Sequence, residues 1–304
     1  MIKRLALLCS LPLLLLGCHA SSISTAPANV GQPISIDELI AVIGQPGPIE
    51  FEKHLAATWS INLSGLLNLE HPKAIAAGIE DREEPIELYV YSLEHPEKGI
   101  FFVDSGVSER FSSPADNPDL SFIVNKAMGL GKLKTVLTTA ELARAKSAAI
   151  DGVFLTHIHT DHIMGLRDLP LGTPVYTGPG EASLSSVQHM ATQGSTDRLL
   201  GNSHQLLEWQ FDESGLIDIF GDKSVIAIHS PGHTPGSTAY LIRSTKGVHL
   251  LVGDATHTRW GWENGVEAGS FSADLQQSAE SLQRLLKLSQ DNPGMTVHPG
   301  HQSL

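Results

Sequence analysis

The sequence predicts an α/β fold, because short strand candidates alternate along the chain with segments of helical spacing. Residues 86–93 alternate between apolar and polar side chains, and residues 99–104 form a second apolar run, which together predict a β-hairpin. Thr138 and Glu141 have the spacing of a capping box at the start of a helix. Leucine and alanine recur at helical spacing from Leu275 to Leu286, which predicts a second helix with one apolar face.

Five further strand candidates follow, and four of them end at residues that can bind metals. They are residues 152–156, 174–177, 224–228, 248–252 and 295–297. The first is followed by a histidine-rich run, and the last three lead to Pro-Gly-His, Gly-Asp and Pro-Gly-His segments. We expect the helix that starts near Thr138 to end at Asp151 and Gly152, just before the first of these strands.

Composition limits the class of protein. The 304 residues are 41% hydrophobic, with a formal net charge of −13 at pH 7, so the chain is long enough to bury a full core. Lysine and arginine form no cluster, and a phosphate backbone would meet an acidic surface. We therefore expect a small-molecule substrate rather than nucleic acid as the partner, and the oligomeric state stays open.

The first residues predict export. Lys3 and Arg4 precede an apolar run that ends at Leu16, which is typical of a signal peptide. The pair Gly17-Cys18 follows directly and resembles the lipobox of bacterial lipoproteins; an ordinary signal peptide that happens to contain Cys18 is the alternative. The prediction is a signal peptide over residues 1–17, a flexible tether over residues 18–33 and a folded domain over residues 34–304. A lipid on Cys18 would anchor the protein to a bacterial membrane, facing the periplasm.

The two cysteines restrict the ligands of any metal. Cys9 lies in the predicted signal peptide and Cys18 at its end, so the mature chain would form no internal disulfide. Metal ligands in the domain must therefore be histidines and carboxylates.

Four such residues lie within six positions directly after an apolar strand: His157, His159, Asp161 and His162. Zinc accepts imidazole nitrogen and carboxylate oxygen, and a turn lets alternate side chains converge on a small volume. A histidine-rich surface loop is the alternative interpretation. The later Pro-Gly-His, Gly-Asp and Pro-Gly-His segments at comparable strand ends favour a metal site.

Together these segments resemble the metallo-β-lactamase superfamily over about residues 86–301. The resemblance implies an αββα sandwich of two mixed β-sheets flanked by helices, with two zinc ions per chain at one edge of the sheets. One zinc would bind His157, His159 and His233, and the other Asp161, His162 and His301, with Asp254 bridging both. His298 is an alternative to His301 as the last ligand. Asp104 would orient the ligand loop.

The implied function is zinc-dependent hydrolysis, in which a hydroxide shared by the two zinc ions attacks a lactone or ester carbonyl. Asp161, Asp254 and His257 are the candidate catalytic residues. Asp254 favours the lactonase side of the superfamily over β-lactam hydrolysis. Acyl-homoserine lactonases carry a tyrosine where this chain has His257, which we expect either to donate a proton to the substrate or to be an exposed loop residue. A periplasmic β-lactamase and a non-catalytic metal-binding lipoprotein are the alternatives.

Overall fold

The computed structural model describes residues 19–112, 117–185, 189–201 and 206–304. Cys18 and the predicted signal peptide lie outside these ranges. Within them, no helix is long and apolar enough to cross a membrane.

Two mixed β-sheets form the centre of the fold. The first has eight strands in the order β1-β9-β8-β7-β5-β4-β3-β6: β1 (Thr25–Pro27), β3 (Glu50–Asn62), β4 (Glu83–His95), β5 (Gly99–Val103), β6 (Lys134–Thr135), β7 (Ile150–Phe154), β8 (Val175–Thr177) and β9 (Leu206–Glu208). The second has six strands in the order β14-β13-β12-β11-β10-β2: β2 (Gln32–Pro33), β10 (Leu216–Asp218), β11 (Val225–His229), β12 (Thr238–Ser244), β13 (Gly247–Gly253) and β14 (Thr296–Pro299).

Helices connect these strands. They are α1 (Ile36–Ile40), α2 (Leu63–Leu66), α3 (Pro72–Ala76), α4 (Phe122–Met128), α5 (Thr139–Ala145), α6 (Thr160–Ile163), α7 (His189–Leu200), α8 (Arg259–Asn264) and α9 (Leu275–Asp291). The capping box predicted at Thr138 is present, since its hydroxyl accepts from the Glu141 backbone N–H and the Glu141 carboxylate accepts from the Thr138 backbone N–H. The hairpin is confirmed as the antiparallel pair of β4 and β5.

Three apolar clusters define four layers. One cluster lies between the two sheets. There Phe154 of β7 packs against Trp209, which follows β9, and against Tyr240 of β12 in the six-stranded sheet. A second cluster packs helices against the outer face of the eight-stranded sheet. A third packs α9, through Leu282 and Leu285, against the outer face of the six-stranded sheet. The predicted αββα sandwich is therefore confirmed.

The expectation of a flexible tether over residues 18–33 is wrong for residues 19–33. Thr25–Pro27 pairs in parallel with β9, and Gln32–Pro33 pairs with β10. Ser21 and Ser22 both donate to the carboxylate of Asp197 on α7. Backbone pairing and these hydrogen bonds offset the low apolar content of the segment, so the chain joins the folded body within two residues of Cys18.

Two boundaries also differ from the sequence prediction. Helix α5 ends at Ala145, and β7 begins at Ile150, so Asp151 lies inside the strand instead of at the end of the helix. Residues 34–85, which show no clear pattern, contain the 13-residue strand β3. It pairs with β4 over most of its length. This pairing stabilises the strand although its apolar and polar residues alternate only weakly.

His298, the alternative ligand, belongs to none of the groups of described residues whose ligand atoms could hold a metal ion together. Its Nε2 is 3.2 Å from Nδ1 of His249, and its ring contacts Phe51 and Tyr91. Burial, with smaller effects from the charges of Lys53 and His249, lowers the pKa of His298 to about 3.

This lowered pKa predicts a loss of stability in acid. Between about pH 6.5 and 3 the unfolded chain binds a proton at His298 that the folded chain does not, so the free energy of unfolding falls as the pH falls. In His298→Gln this slope should become shallower, by at most about 1.4 kcal/mol per pH unit. Urea unfolding of both proteins from pH 7 to 4.5, with a chelator present throughout, measures the difference. Parallel curves would contradict it.

Candidate metal centre

Loops from both sheets meet at one edge of the sandwich. His157 follows β7, His159 is the N-cap of α6, and Asp161 and His162 lie in the first turn of that helix. From the six-stranded sheet, His233 lies between β11 and β12, Asp254 follows β13, and His301 follows β14. The structure thus brings together all seven residues that the resemblance implies as ligands.

One carboxylate oxygen lies at the centre of this cluster. Oδ2 of Asp254 is within 3.0–3.6 Å of the Nε2 atoms of five buried histidines: His157, His162, His233, His257 and His301. In addition, His159 Nδ1 lies 2.9 Å from His233 Nε2, and Asp161 Oδ2 lies 3.3 Å from His301 Nε2.

These atoms form overlapping sets, each with three or four potential metal ligands. The ligand atoms of each set lie within 4.8 Å of one another: His157, His159, His233 and Asp254 in one, Asp161, His162 and His301 in a second, and Asp254, His257 and His301 in a third. The first two sets match the two ligand groups implied by the sequence.

Burial keeps the first group of histidines in the form that binds metal. It lowers the pKa of His159 to about 4 and holds the pKa values of His157 and His233 well below 6.5, with neighbouring histidines adding to the effect. Neutral imidazole is the species that donates a lone pair to zinc.

His162 and His301 differ because they lie against carboxylates. Burial alone would lower their pKa values, but Asp254 and Asp161 outweigh it at both residues, as does Asp104 at His162, and the pKa values are raised. A proton and a metal ion compete for the same nitrogen, so the negative charge that retains a proton there also favours a cation.

The donor atoms fit a divalent cation. Nε2 of His157, Nε2 of His162 and Oδ1 of Asp254 are buried and have no hydrogen-bond partner among the described residues. Buried polar atoms are rarely left unpaired, because desolvation without a partner costs about 1–3 kcal/mol for each group. Imidazole nitrogens and carboxylate oxygens at this spacing are the ligands that zinc accepts.

Asp104 orients two of the strand-end residues, as the resemblance implies. Its carboxylate accepts from the Thr156 backbone N–H at 2.8 Å and lies 2.8 Å from Nδ1 of His162. Asp104 has a φ of 54°, in the left-handed region, which Asp adopts more readily than most residues. Orienting the Nδ1 side of His162 leaves its Nε2 facing Asp254.

Glu181 also supports the site, although it was not among the residues predicted from the sequence. The buried carboxylate accepts from the backbone N–H of Ile158 at 3.0 Å and of Gly236 at 2.8 Å. It therefore ties the His157–His159 loop to the loop that carries His233. Burial raises the pKa of Glu181 to about 7, against the lowering effect of these hydrogen bonds. The local sequence Gly-Pro-Gly-Glu carries no signal of this role.

Gly300 is required by the close approach of its backbone to Asp254. A Cβ at this position would lie 2.1 Å from Oδ1 of Asp254, which would force the carboxylate to move. We expect Gly300→Ala to weaken metal binding by about 10- to 100-fold, as loss of an orienting partner does. Gly294→Ala is the matched control, since a Cβ there meets no atom within 4 Å. Equal zinc affinities of the two variants, measured by competition with a chelating dye, would argue against this role.

The sequence is similar to those of known hydrolases. An N-acyl homoserine lactonase of Azorhizobium caulinodans is 29% identical over 169 residues, which are 53% of this chain and 63% of the relative. A hydroxyacylglutathione hydrolase of Neisseria meningitidis is 28% identical over 155 residues, 49% of this chain and 48% of the relative. The matched stretches thus span less than two thirds of these relatives.

Solved structures share the fold at low identity. A quorum-quenching N-acyl homoserine lactone lactonase superimposes with a TM-score of 0.61 at 18% identity, covering 84% of this chain and 94% of that chain. A dizinc quorum-quenching lactonase gives a TM-score of 0.53 at 17% identity, with 84% and 90% covered.

The family model of the metallo-beta-lactamase superfamily matches residues 89–301, from the strand β4 to the last histidine of the site. This stretch contains all seven predicted ligands and the strands β5 to β14. The chain is therefore a member of the metallo-beta-lactamase superfamily.

Proposed function

We propose that the protein is a dinuclear zinc-dependent hydrolase of lactones or related esters. The observation that carries the proposal is the position of the Asp254 carboxylate, whose Oδ2 faces the Nε2 atoms of both ligand groups. A carboxylate in that position can bridge two cations. His157, His159 and His233 would hold one zinc, and Asp161, His162 and His301 the other.

Two zinc ions bound in this way supply a nucleophile at neutral pH and polarise the carbonyl that it attacks. The chain's own residues position the reaction. His159 and Asp161 are partly exposed, whereas Asp254 is buried, so the substrate approaches from the side of α6. The Asp161 side chain is 15% exposed, against 3% for Asp254. Asp161 is therefore the carboxylate placed to accept or return a proton at the substrate.

The site favours a small substrate. A cavity of about 130 Å³ lies beside His159, lined in part by Ala20, Ile158, Leu184 and Thr196. It is small beside the roughly 300–1,000 Å³ of pockets for drug-sized ligands, and a modest acyl group of a lactone or ester would fit it. The lactonase names of several relatives support the same choice.

The test compares substrate classes on one preparation. The full chain, purified in detergent and loaded with zinc, is assayed with hexanoyl-homoserine lactone, a hydroxyacyl glutathione thioester and a chromogenic cephalosporin. We expect the lactone to have the highest kcat/KM. Fast turnover of the cephalosporin with none of the lactone would establish the β-lactamase alternative. No turnover of any of them by protein that binds two zinc ions would favour the non-catalytic one.

We further propose that a lipid on Cys18 anchors the protein on the periplasmic side of a bacterial membrane. Because His19, the residue after Cys18, contacts the Ser183 carbonyl through its ring, the lipid would hold this face of the protein close to the membrane. We expect Cys18→Ser to move the protein from the membrane fraction to the soluble fraction, with unchanged lactone turnover. Retention of the variant in membranes would refute lipid anchoring.

A further inference from the structure

His257 lies three residues after Asp254, in the loop between β13 and α8, and is almost fully buried. The expectation that it is an exposed loop residue is wrong. Its Nε2 is 3.0 Å from Oδ2 of Asp254, the shortest of the five distances from that oxygen to a histidine nitrogen.

The other ring nitrogen determines what Nε2 can do. Nδ1 of His257 is 3.0 Å from the backbone carbonyl oxygen of Leu66. A carbonyl oxygen only accepts hydrogen bonds, so the proton of the neutral ring is on Nδ1, and Nε2 carries a lone pair. This lone pair faces a carboxylate oxygen, which also has only lone pairs to offer. The neutral ring therefore cannot donate a proton from Nε2 to a substrate, as a tyrosine hydroxyl could.

His95 shows the opposite arrangement at the same distance. Its Nε2 is also 3.0 Å from a carboxylate oxygen, that of Asp222. There, however, Nδ1 accepts from the backbone N–H groups of Glu97 and Lys98. The proton of His95 is thus on Nε2 and makes an ordinary hydrogen bond to Asp222, whereas neutral His257 and Asp254 present only lone pairs to each other, an arrangement that a metal cation between them would satisfy.

His257 instead resembles the predicted ligand His301. Nδ1 of His301 is 3.1 Å from the backbone carbonyl oxygen of Glu87, and its Nε2 is 3.4 Å from Oδ2 of Asp254. The two rings stack, with their planes 13° apart and their centroids separated by 5.4 Å. Histidines that bind metals commonly donate their other N–H to a backbone carbonyl or carboxylate in this way.

We infer that His257 is an additional metal ligand, and that its Nε2 binds the cation shared by Asp254 and His301. This inference rests on the proposed function, because it presupposes metal at the site. It gives His257 a different role from the tyrosine that acyl-homoserine lactonases have at the corresponding position. The side chain occupies a coordination position, and catalytic zinc sites usually keep one such position open.

The test measures metal binding without reference to turnover. His257→Phe and the matched control His95→Phe are compared with the parent by zinc content and by competition with a chelating dye. We expect His257→Phe to bind the more weakly held zinc at least about 100-fold less tightly, beyond the effect of losing a partner of a ligand. His95→Phe, which also removes a histidine–aspartate pair, should keep the parent affinity.

A cysteine at the same position covers the case in which the phenylalanine variant fails to fold. His257→Cys loaded with cobalt should show a thiolate-to-cobalt charge-transfer band, which arises only when the sulfur coordinates the metal. Absence of that band, or unchanged zinc affinity of His257→Phe, would overturn the inference and leave the proposed function standing if the parent binds two zinc ions. A parent chain that binds no zinc would refute both.

Discussion

Replacing Asp254 with asparagine is expected to lower kcat/KM for the preferred substrate by at least 100-fold and to reduce the zinc content from two ions per chain. The substitution keeps the size of the side chain but removes the negative charge that five imidazole nitrogens face within 3.6 Å. An amide oxygen bridges two cations poorly, since the bridging position calls for an anionic ligand. The loss should exceed the roughly 10- to 100-fold effect of removing a residue that only orients a ligand.

Asp218→Asn is the control for this experiment. Asp218 is a buried carboxylate that accepts from the backbone N–H groups of Gly221 and Lys223, away from the histidine cluster. We expect it to alter stability but to retain two zinc ions and the parent kcat/KM. If Asp254→Asn kept its activity and both ions, Asp254 would not bridge, and the proposed dinuclear mechanism would be wrong.

Four of the site residues were predictable because they lie close together in the sequence. His157, His159, Asp161 and His162 lie within six residues after an apolar strand, so spacing alone brings their side chains close. Strand ends marked His233, Asp254 and His301 as candidates, but only the resemblance to a family assigned them to a shared site, since each is a single residue at a distant position in the sequence.

Residues whose role depends on distant partners were not predictable in the same way. Glu181 acts through the backbone N–H groups of Ile158 and Gly236, which lie 23 and 55 residues away along the chain. Likewise, the tautomer of His257 depends on the carbonyl of Leu66, 191 residues earlier. No pattern in the sequence around either residue indicates such a partner.

Dependence on partners that are distant in the sequence also explains why the prediction of a flexible tether was wrong for residues 19–33. Their Ser, Ala, Thr and Pro content shows no apolar period and is typical of a linker. The structure of Thr25–Pro27 comes from pairing with Leu206–Glu208, about 180 residues later. Strands of three residues at a sheet edge are stabilised by the existing sheet, so their own sequence need not predict them.

Removing the metal is expected to lower the melting temperature by roughly 6 °C for each bound ion. His157, Asp161 and His162 follow a strand of the eight-stranded sheet, whereas His233, Asp254 and His301 lie on loops of the six-stranded sheet. A cation bound by both sets stabilises only the native state, by about 4 kcal/mol when its free concentration is 1,000 times Kd. With an unfolding entropy of about 2.1 cal/mol/K per residue, each kcal/mol shifts the melting temperature of a 304-residue chain by about 1.6 °C.

Thermal unfolding with and without a chelator measures this shift, and Asp254→Asn supplies the internal control. Because that variant holds less metal, chelation should change its melting temperature much less than that of the parent. Stability lost by the parent should return when zinc is added back, since linkage is reversible. A parent protein whose melting temperature is the same with and without the chelator would show that metal does not join the two sheets, even if it binds at the surface of one of them.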